Sequence, residues 1–179
     1  MKLIKRYRSV IHGNYRRASL LYGLYTGLAL SALVIFRRLI IYPLSQPVTY
    51  VENVALLVLM FLFLWRYRKN LEEQKVSFRE GYLVCFGLGI VSAVVYGIFI
   101  YVYAWKIDPN MQVRCYNMQR ALENNVKLPD EAVRAMTTPS SIAMSAVLLT
   151  ITVSIIFAMV AALMLRNEKS EIRTKQTKL

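Results

Sequence analysis

The chain has 179 residues, of which 56% are hydrophobic, and its formal net charge at neutral pH is +13. This length is typical of one domain, but the hydrophobic share and the positive mean hydropathy exclude an ordinary soluble globular domain. The basic residues lie beside the apolar runs, so membrane topology and anionic headgroups account for the charge, and nucleic-acid binding is not expected.

Four apolar runs along the chain are long enough to cross the hydrocarbon core of a bilayer, which takes about 20 residues. Over this length only helices satisfy their own backbone polar groups in lipid. We therefore predict an all-α polytopic membrane protein, with residues 1–179 forming a single transmembrane domain. The four spans are predicted at about residues 18–36, 48–65, 82–103 and 142–165.

The first run follows a basic N-terminal segment, as the apolar core of a secretory signal would. It nevertheless leads directly into Arg37 and Arg38 without a cleavage site, so we expect it to remain as a span. This basic pair lies at the outer end of the span, and we interpret both side chains as reaching the outer headgroups. Glu52 lies near the outer end of the second run, and its role is left open.

The distribution of Lys and Arg predicts the orientation of the spans. Sixteen of the 23 basic residues lie in the N-terminal segment, in the connection between the second and third runs, or in the C-terminal tail, and seven lie on the opposite side. Because basic residues are retained in the cytoplasm, we expect both termini to be cytoplasmic. The predicted contacts with lipid headgroups are Arg16, Arg17, Arg37 and Arg38.

Small residues recur every fourth position in three of the runs. In a membrane such residues let helix backbones approach closely, so we expect them at helix contacts within one chain rather than in a homodimer. The predicted packing residues are Gly23, Gly27 and Ser31, then Gly89, Ala93 and Gly97, and finally Ser154, Ala158 and Ala162.

The connection between the third and fourth runs, residues 106–140, is predicted to form a short amphipathic helical insertion. Asp108 and Pro109 have the residue types of a helix start, with the carboxylate as the cap and proline at the first helical position. A second short helix is predicted from Asp130 to Met136. The insertion is interpreted as a cap on the bundle, as a helix lying on the outer leaflet, or as a docking surface for a partner protein. The residues proposed for docking are Met111, Cys115, Met118 and Leu122.

The sequence contains few residues of the kinds that carry chemistry. His12 is the only histidine and lies in the basic N-terminal segment, while Cys85 and Cys115 have no paired spacing that would predict a disulfide or zinc site. No phosphate-binding, zinc-hydrolase or serine-nucleophile motif occurs. We therefore predict no catalytic residue, no cofactor and no metal ion, and whether Cys115 is free or paired between chains stays open.

The entry to the third run carries the motif SerPheArgGluGlyTyr, from Ser77 to Tyr82, and a long polar connection opens with IleAspPro at residues 107–109. Ser77 and Glu80 have the spacing of a capping box. With four spans and a basic N-terminus, this order resembles the membrane family of domain of unknown function 4199 (DUF4199), found mainly in Bacteroidetes. Phe78, Glu80 and Gly81 carry the most specific part of the resemblance, which implies a bacterial inner membrane and no established activity.

Two functions remain open on these grounds. The first is a non-enzymatic accessory or scaffold subunit of a bacterial envelope complex, with membrane lipids and membrane proteins as partners. The second is a small translocator of lipid-linked sugars, or a membrane partner of a polyprenyl-phosphate glycosyltransferase. In the second case Arg37 or Arg38 would receive the phosphate.

Overall fold

The structure is a computed structural model that describes residues 15–40, 50–71, 76–122 and 129–165. These residues form six α-helices, and helices are the only regular secondary structure in the described ranges. The helices are α1 (Tyr15–Ile40), α2 (Tyr50–Asn70), α3 (Phe78–Val102), α4 (Asn110–Leu122), α5 (Asp130–Met136) and α6 (Pro139–Leu165). A π-helical turn, Tyr103–Ile107, continues α3. The prediction of an all-α fold is confirmed.

Four of these helices are long and apolar enough to cross a membrane, namely α1, α2, α3 with its π-helical turn, and α6. The chain is therefore a polytopic all-α membrane protein. Helices α3 and α6 begin earlier than their predicted spans because polar residues cap them. Ser77 Oγ accepts the Glu80 N–H at the start of α3, and Thr138 Oγ1 accepts the Ser141 N–H at the start of α6. Residues 48 and 49 of the second predicted span lie outside the described ranges, as does His12.

Contacts between the helices define two ends of the bundle. At one end α1 contacts the start of α2 through Arg37 and Glu52, and it contacts the π-helical turn through Arg38. We call this the loop end, since α4 and α5 also lie there. At the opposite end, the tail end, α2 contacts the start of α3 through Tyr67 and Glu80. Tyr15 and Leu165, the first and last described residues, belong to the tail end.

Helix α3 is the centre of the bundle and packs along its length on both α1 and α6. Small residues allow these close contacts. A Cβ atom added to Gly23 would lie 2.6 Å from the Cβ of Val91 on α3, which no side chain there could accommodate without a shift. All nine predicted packing residues are buried, namely Gly23, Gly27, Ser31, Gly89, Ala93, Gly97, Ser154, Ala158 and Ala162. The glycines among them and Ser154 lie where two helices approach closely.

Helix α2 contributes a stripe of large side chains to the core. Leu56, Met60 and Leu64 recur every fourth residue and are buried, and Tyr67 continues the stripe one turn later. One turn before Leu56 the same stripe contains Glu52, which is also buried. Since residues four apart on a helix share a face, the packing of α2 places a carboxylate inside the bundle.

The insertion between α3 and α6 folds as two helices. The second, α5, has the predicted bounds of Asp130–Met136, so that prediction is confirmed. Met111 of α4 and Val133 of α5 are fully buried. We call residues 103–122 and 129–138 together the loop-end cap.

Candidate functional site

An ion pair lies inside the bundle near the loop end. Arg37 of α1 donates from Nη1 to Glu52 Oε2 of α2 at 3.3 Å. The Glu52 side chain is 1% exposed and that of Arg37 is 12% exposed. An ion without a counter-charge at this depth would cost several kcal/mol, so each residue makes burial of the other possible.

A third helix contributes to this pair. Tyr96 of α3 is buried and interacts electrostatically with both Glu52 and Arg37. Placing a charged group within a membrane span costs free energy, so such groups usually mark a functional or structural centre. The Arg37, Glu52 and Tyr96 cluster, which we call the core polar cluster, therefore connects α1, α2 and α3.

Arg37 was expected to reach the outer headgroups, but its side chain points into the bundle. The physical reason is that the Glu52 carboxylate is buried in the bundle and needs a counter-charge, which the Arg37 guanidinium supplies. Arg38 is exposed, yet its Nη1 donates to the Ile107 carbonyl at 3.1 Å and its guanidinium lies 5.6 Å from the centre of the Tyr103 ring. The side chain of Arg38 thus connects α1 to the π-helical turn.

The π-helical turn is where the chain leaves α3 and enters the loop-end cap. The Asp108 N–H donates to the Tyr103 carbonyl at 2.8 Å, which closes the wider turn. The Asp108 carboxylate, 8% exposed, accepts hydrogen bonds from Arg114 and from the Tyr103 hydroxyl. Isolated π-helical turns occur often at functional positions. Here the turn brings a buried carboxylate under the first turns of α4.

The predicted capping role of Asp108 is corrected by these contacts. Helix α4 begins at Asn110, so Pro109 precedes it, and the Asp108 carboxylate binds Arg114 instead of capping the helix. A guanidinium forms a stronger, charge-assisted bond than a backbone N–H does. The backbone carbonyl of Asp108 accepts the Met111 N–H at 2.9 Å.

A second set of polar contacts holds α5 against α4. The Tyr116 hydroxyl donates to Asp130 Oδ1 at 3.0 Å, and Arg120 forms an ion pair with the same carboxylate. Arg120 Nε also donates to the Tyr116 hydroxyl at 3.3 Å. These contacts are partly exposed, so each stabilises less than the buried contacts of Asp108.

Two grooves lie on the loop-end cap. The first, which we call the cap groove, has a volume of about 290 Å³ and runs between α4 and α5. It is lined by Gln112, Val113, Tyr116, Arg134 and Thr137. The second has a volume of about 540 Å³ and lies between α5 and the start of α6.

The residues predicted to dock a partner separate in the structure. Met111 is fully buried against the bundle, whereas Leu122 is 62% exposed. Cys115 and Met118 lie between these extremes. Burial raises the pKa of the Cys115 thiol, and the Arg114 guanidinium opposes that effect. Met111 therefore anchors the cap, and Leu122 is the most exposed of the four residues.

The tail end contains the motif that carries the family resemblance. The Glu80 carboxylate accepts a 2.6 Å hydrogen bond from the Tyr67 hydroxyl, and a Cβ atom added to Gly81 would lie 3.6 Å from the side chains of Leu64 and Ala162. The ring of Phe78 stacks on Tyr82 with 6.2 Å between centroids. The first half of the predicted capping box forms, while the Glu80 side chain binds Tyr67 on α2. The motif joins the start of α3 to α2 and α6.

Basic side chains surround the tail end. Arg16 and Arg17 of α1, Arg66 of α2 and Arg79 of α3 are all exposed. A groove of about 310 Å³ opens between the first turns of α1 and α3. It is lined by Tyr15, Ser77, Arg79, Glu80 and Leu83. We call it the tail-end groove.

The contact between Arg37 and Glu52 was not predicted, although the sequence contains a signal for it. Glu52 is in register with Leu56 and Met60, and Arg37 is in register with Leu30 and Val34 on the buried face of α1. A charge that continues a buried stripe on one helix predicts an opposite charge on a neighbouring helix. In the part of the chain that the structure describes, no three His, Cys, Asp or Glu side chains are grouped to hold a metal ion.

Residues 21–167 match the model of a family described as protein of unknown function (DUF4199). Because this match covers most of the chain, the protein belongs to that family. No curated protein and no solved structure matches the chain.

Proposed function

We propose that this member of the DUF4199 family is a non-enzymatic accessory subunit of a bacterial inner-membrane complex. In this role it holds a partner protein against the loop-end cap. The observation that carries the proposal is a cap whose helix α4 is held to the π-helical continuation of α3 by buried polar contacts and that carries a groove on its exposed surface.

Buried polar and apolar contacts hold the cap to the end of α3. Asp108 is almost fully buried and is bound by Arg114 and Tyr103, and hydrogen bonds to charged groups contribute about 2 kcal/mol each. Met111 and Val133 are buried beneath α4 and α5. A binding surface on such a support loses little conformational freedom when a partner docks.

The cap groove combines apolar and basic character. Val113 is 57% exposed, and the exposed Arg134 lies across the groove on α5. Gln112 and Tyr116 add polar groups to the wall. This chemistry suits a partner segment with an apolar side chain beside a carboxylate, since the apolar contact provides affinity and the charge pair provides orientation.

The orientation we propose places the tail end in the cytoplasm and the loop-end cap on the opposite side. The exposed basic residues of the tail end support it, because basic flanks are retained in the cytoplasm. In a variant with Cys115→Ser, a membrane-impermeant maleimide should label a cysteine placed at Ala121 in intact cells and leave one placed at Arg66 unlabelled. Labelling with the reverse pattern would contradict the orientation.

A role with lipid-linked sugars has less support. That hypothesis assigned the phosphate to Arg37 or Arg38, and both guanidiniums are engaged elsewhere. Arg37 binds Glu52, and Arg38 binds the Ile107 carbonyl. For this reason we favour the accessory subunit.

Site-specific photo-crosslinking in cells tests the proposed docking. A photoreactive residue at Val113 should give one discrete adduct, and the same residue at Ala121, exposed on α4 but outside the cap groove, should not. The substitution Arg134→Glu should reduce the Val113 adduct at equal expression, because it reverses the charge in the groove. Equal adducts at both positions, or an adduct indifferent to Arg134→Glu, would rule out a partner in this groove.

A further inference from the structure

We infer that the tail-end groove binds the phosphate of an anionic phospholipid headgroup. This inference concerns the opposite end of the bundle from the cap and does not depend on the proposed partner. It rests on the shape of the groove, the chemistry of its walls and its position at the end of the spans.

The groove offers three donors to a phosphate. The Arg79 side chain is exposed and brings a positive charge to the wall. Ser77 Oγ accepts the Glu80 N–H at 3.3 Å, so its hydroxyl hydrogen points to another acceptor. The Tyr15 hydroxyl accepts from Arg16 at 3.3 Å and keeps its own hydrogen to donate. One guanidinium beside two hydroxyls is a common arrangement for phosphate recognition.

Glu80 also lines the groove, and its negative charge would oppose an anion. The Tyr67 hydroxyl on α2 donates to this carboxylate at 2.6 Å and holds it towards α2. Arg79 in the groove wall and Arg16, which donates to the Tyr15 hydroxyl, together outnumber this one carboxylate. The local charge therefore favours an anion.

The position of the groove identifies a lipid as the source of the phosphate. It lies where α1 and α3 begin, at the end of two membrane spans. At the same end Lys69 lies 3.9 Å from the centre of the Trp65 ring, and such aromatic and basic pairs are typical of headgroup depth. Below the donors, Leu83 lines the groove and Ile90 continues its exposed face two turns further into the span. These side chains would contact the acyl chain of a lipid whose phosphate binds Arg79.

The test is native mass spectrometry of the full chain in mild detergent, titrated with phosphatidylglycerol or with phosphatidylcholine of the same acyl chains. We expect phosphatidylglycerol to bind more tightly. Arg79→Gln should weaken its binding about fivefold, the factor that one interacting charge contributes near a membrane surface. Arg79→Lys keeps the charge and should retain most of the binding. Both substitutions change an exposed side chain, so the fold should persist.

The matched control is Arg66→Gln, which removes an exposed charge at the same end but outside the groove. It should leave the phosphatidylglycerol affinity unchanged. An equal loss in both variants would mean a diffuse basic surface and would overturn the inference, as would equal binding of the two lipids. Displacement of the lipid by an equal concentration of inorganic phosphate would also overturn it, because the ligand would then be a soluble anion.

Discussion

The two ends of the bundle use charge differently. At the loop end, Arg37 and Arg114 bind carboxylates that are almost fully buried, Glu52 and Asp108. At the tail end, Arg66 and Arg79 are exposed, and the Glu80 carboxylate binds a tyrosine hydroxyl. The same residue types thus fix structure at one end and remain open to the surroundings at the other.

The difference follows from burial. A buried charge has to be matched by a neighbour because leaving it alone costs several kcal/mol, so its position becomes fixed. An exposed charge is solvated, contributes little to folding and stays available to an anion. We therefore expect substitutions at the loop end to act on stability and substitutions of exposed charges at the tail end to act on binding.

The largest expected effect comes from Glu52→Gln. It leaves the buried Arg37 guanidinium without its counter-charge, so the free energy of unfolding should fall by about 3 kcal/mol. Unfolding by dodecyl sulfate in mixed micelles, followed by circular dichroism, measures this change. Arg66→Gln removes an exposed charge. If Glu52→Gln lowered the free energy of unfolding by less than Arg66→Gln does, the contrast between buried and exposed charges would be contradicted.

Asp108→Asn should loosen the loop-end cap. The substitution removes the charge that Arg114 binds, and we expect a loss of about 2 kcal/mol. Trp105 lies at the loop end and Trp65 in the tail-end half of α2, so a single-tryptophan variant of each reports one end. The Trp105 transition should shift further than the Trp65 transition.

The matched control for Asp108→Asn is Asp130→Asn, whose carboxylate is 63% exposed. It should change the stability by no more than about 0.5 kcal/mol. If Asp130→Asn lowered the stability as much as Asp108→Asn, burial would not explain how the cap is held.

Tyr67→Phe tests a short polar contact at the tail end. It removes the hydroxyl that binds Glu80, and we expect a loss of about 1 kcal/mol in the same unfolding measurement. The control is Tyr82→Phe, which removes the hydroxyl of a half-buried tyrosine in the first turns of α3. Losses of the same size in both variants would mean that the Glu80 contact contributes nothing specific.

The smallest expected effect is on the rate at which the Cys115 thiol is alkylated. Because burial raises the pKa of the Cys115 thiol, the reactive thiolate should be scarce at neutral pH and increase only above the range of an exposed cysteine. Alkylation by N-ethylmaleimide, followed by mass spectrometry, should give a slow single adduct, since Cys85 is buried in α3. Reaction at the rate of an exposed cysteine at neutral pH would contradict this environment for Cys115.

The sequence was sufficient to predict the helices and much of their packing. Apolar runs without interior charge can only be spans, and small residues such as Gly23 and Gly89 have one common use in a membrane. Turn chemistry predicted α5 with its bounds. These features are local, so periodicity and residue type are enough to predict them.

The pairing between helices could not be predicted in the same way. Arg37 and Glu52 are separated by a connection whose geometry no local pattern determines, and a basic residue at the end of a span is usually turned outwards. Asp108 has the residue type and position of a helix cap, but its carboxylate binds the guanidinium of Arg114, six residues later in the chain. The tail-end groove depends on the meeting of α1 and α3, which only the fold reveals.

A double-mutant cycle of Arg37→Met and Glu52→Gln tests most directly whether buried pairing organises the loop end. If the two side chains stabilise the bundle through each other, the double variant should be more stable than the sum of the single losses predicts, by about 2 kcal/mol in mixed-micelle unfolding. Strictly additive losses would contradict the account, because each residue would then act without the other.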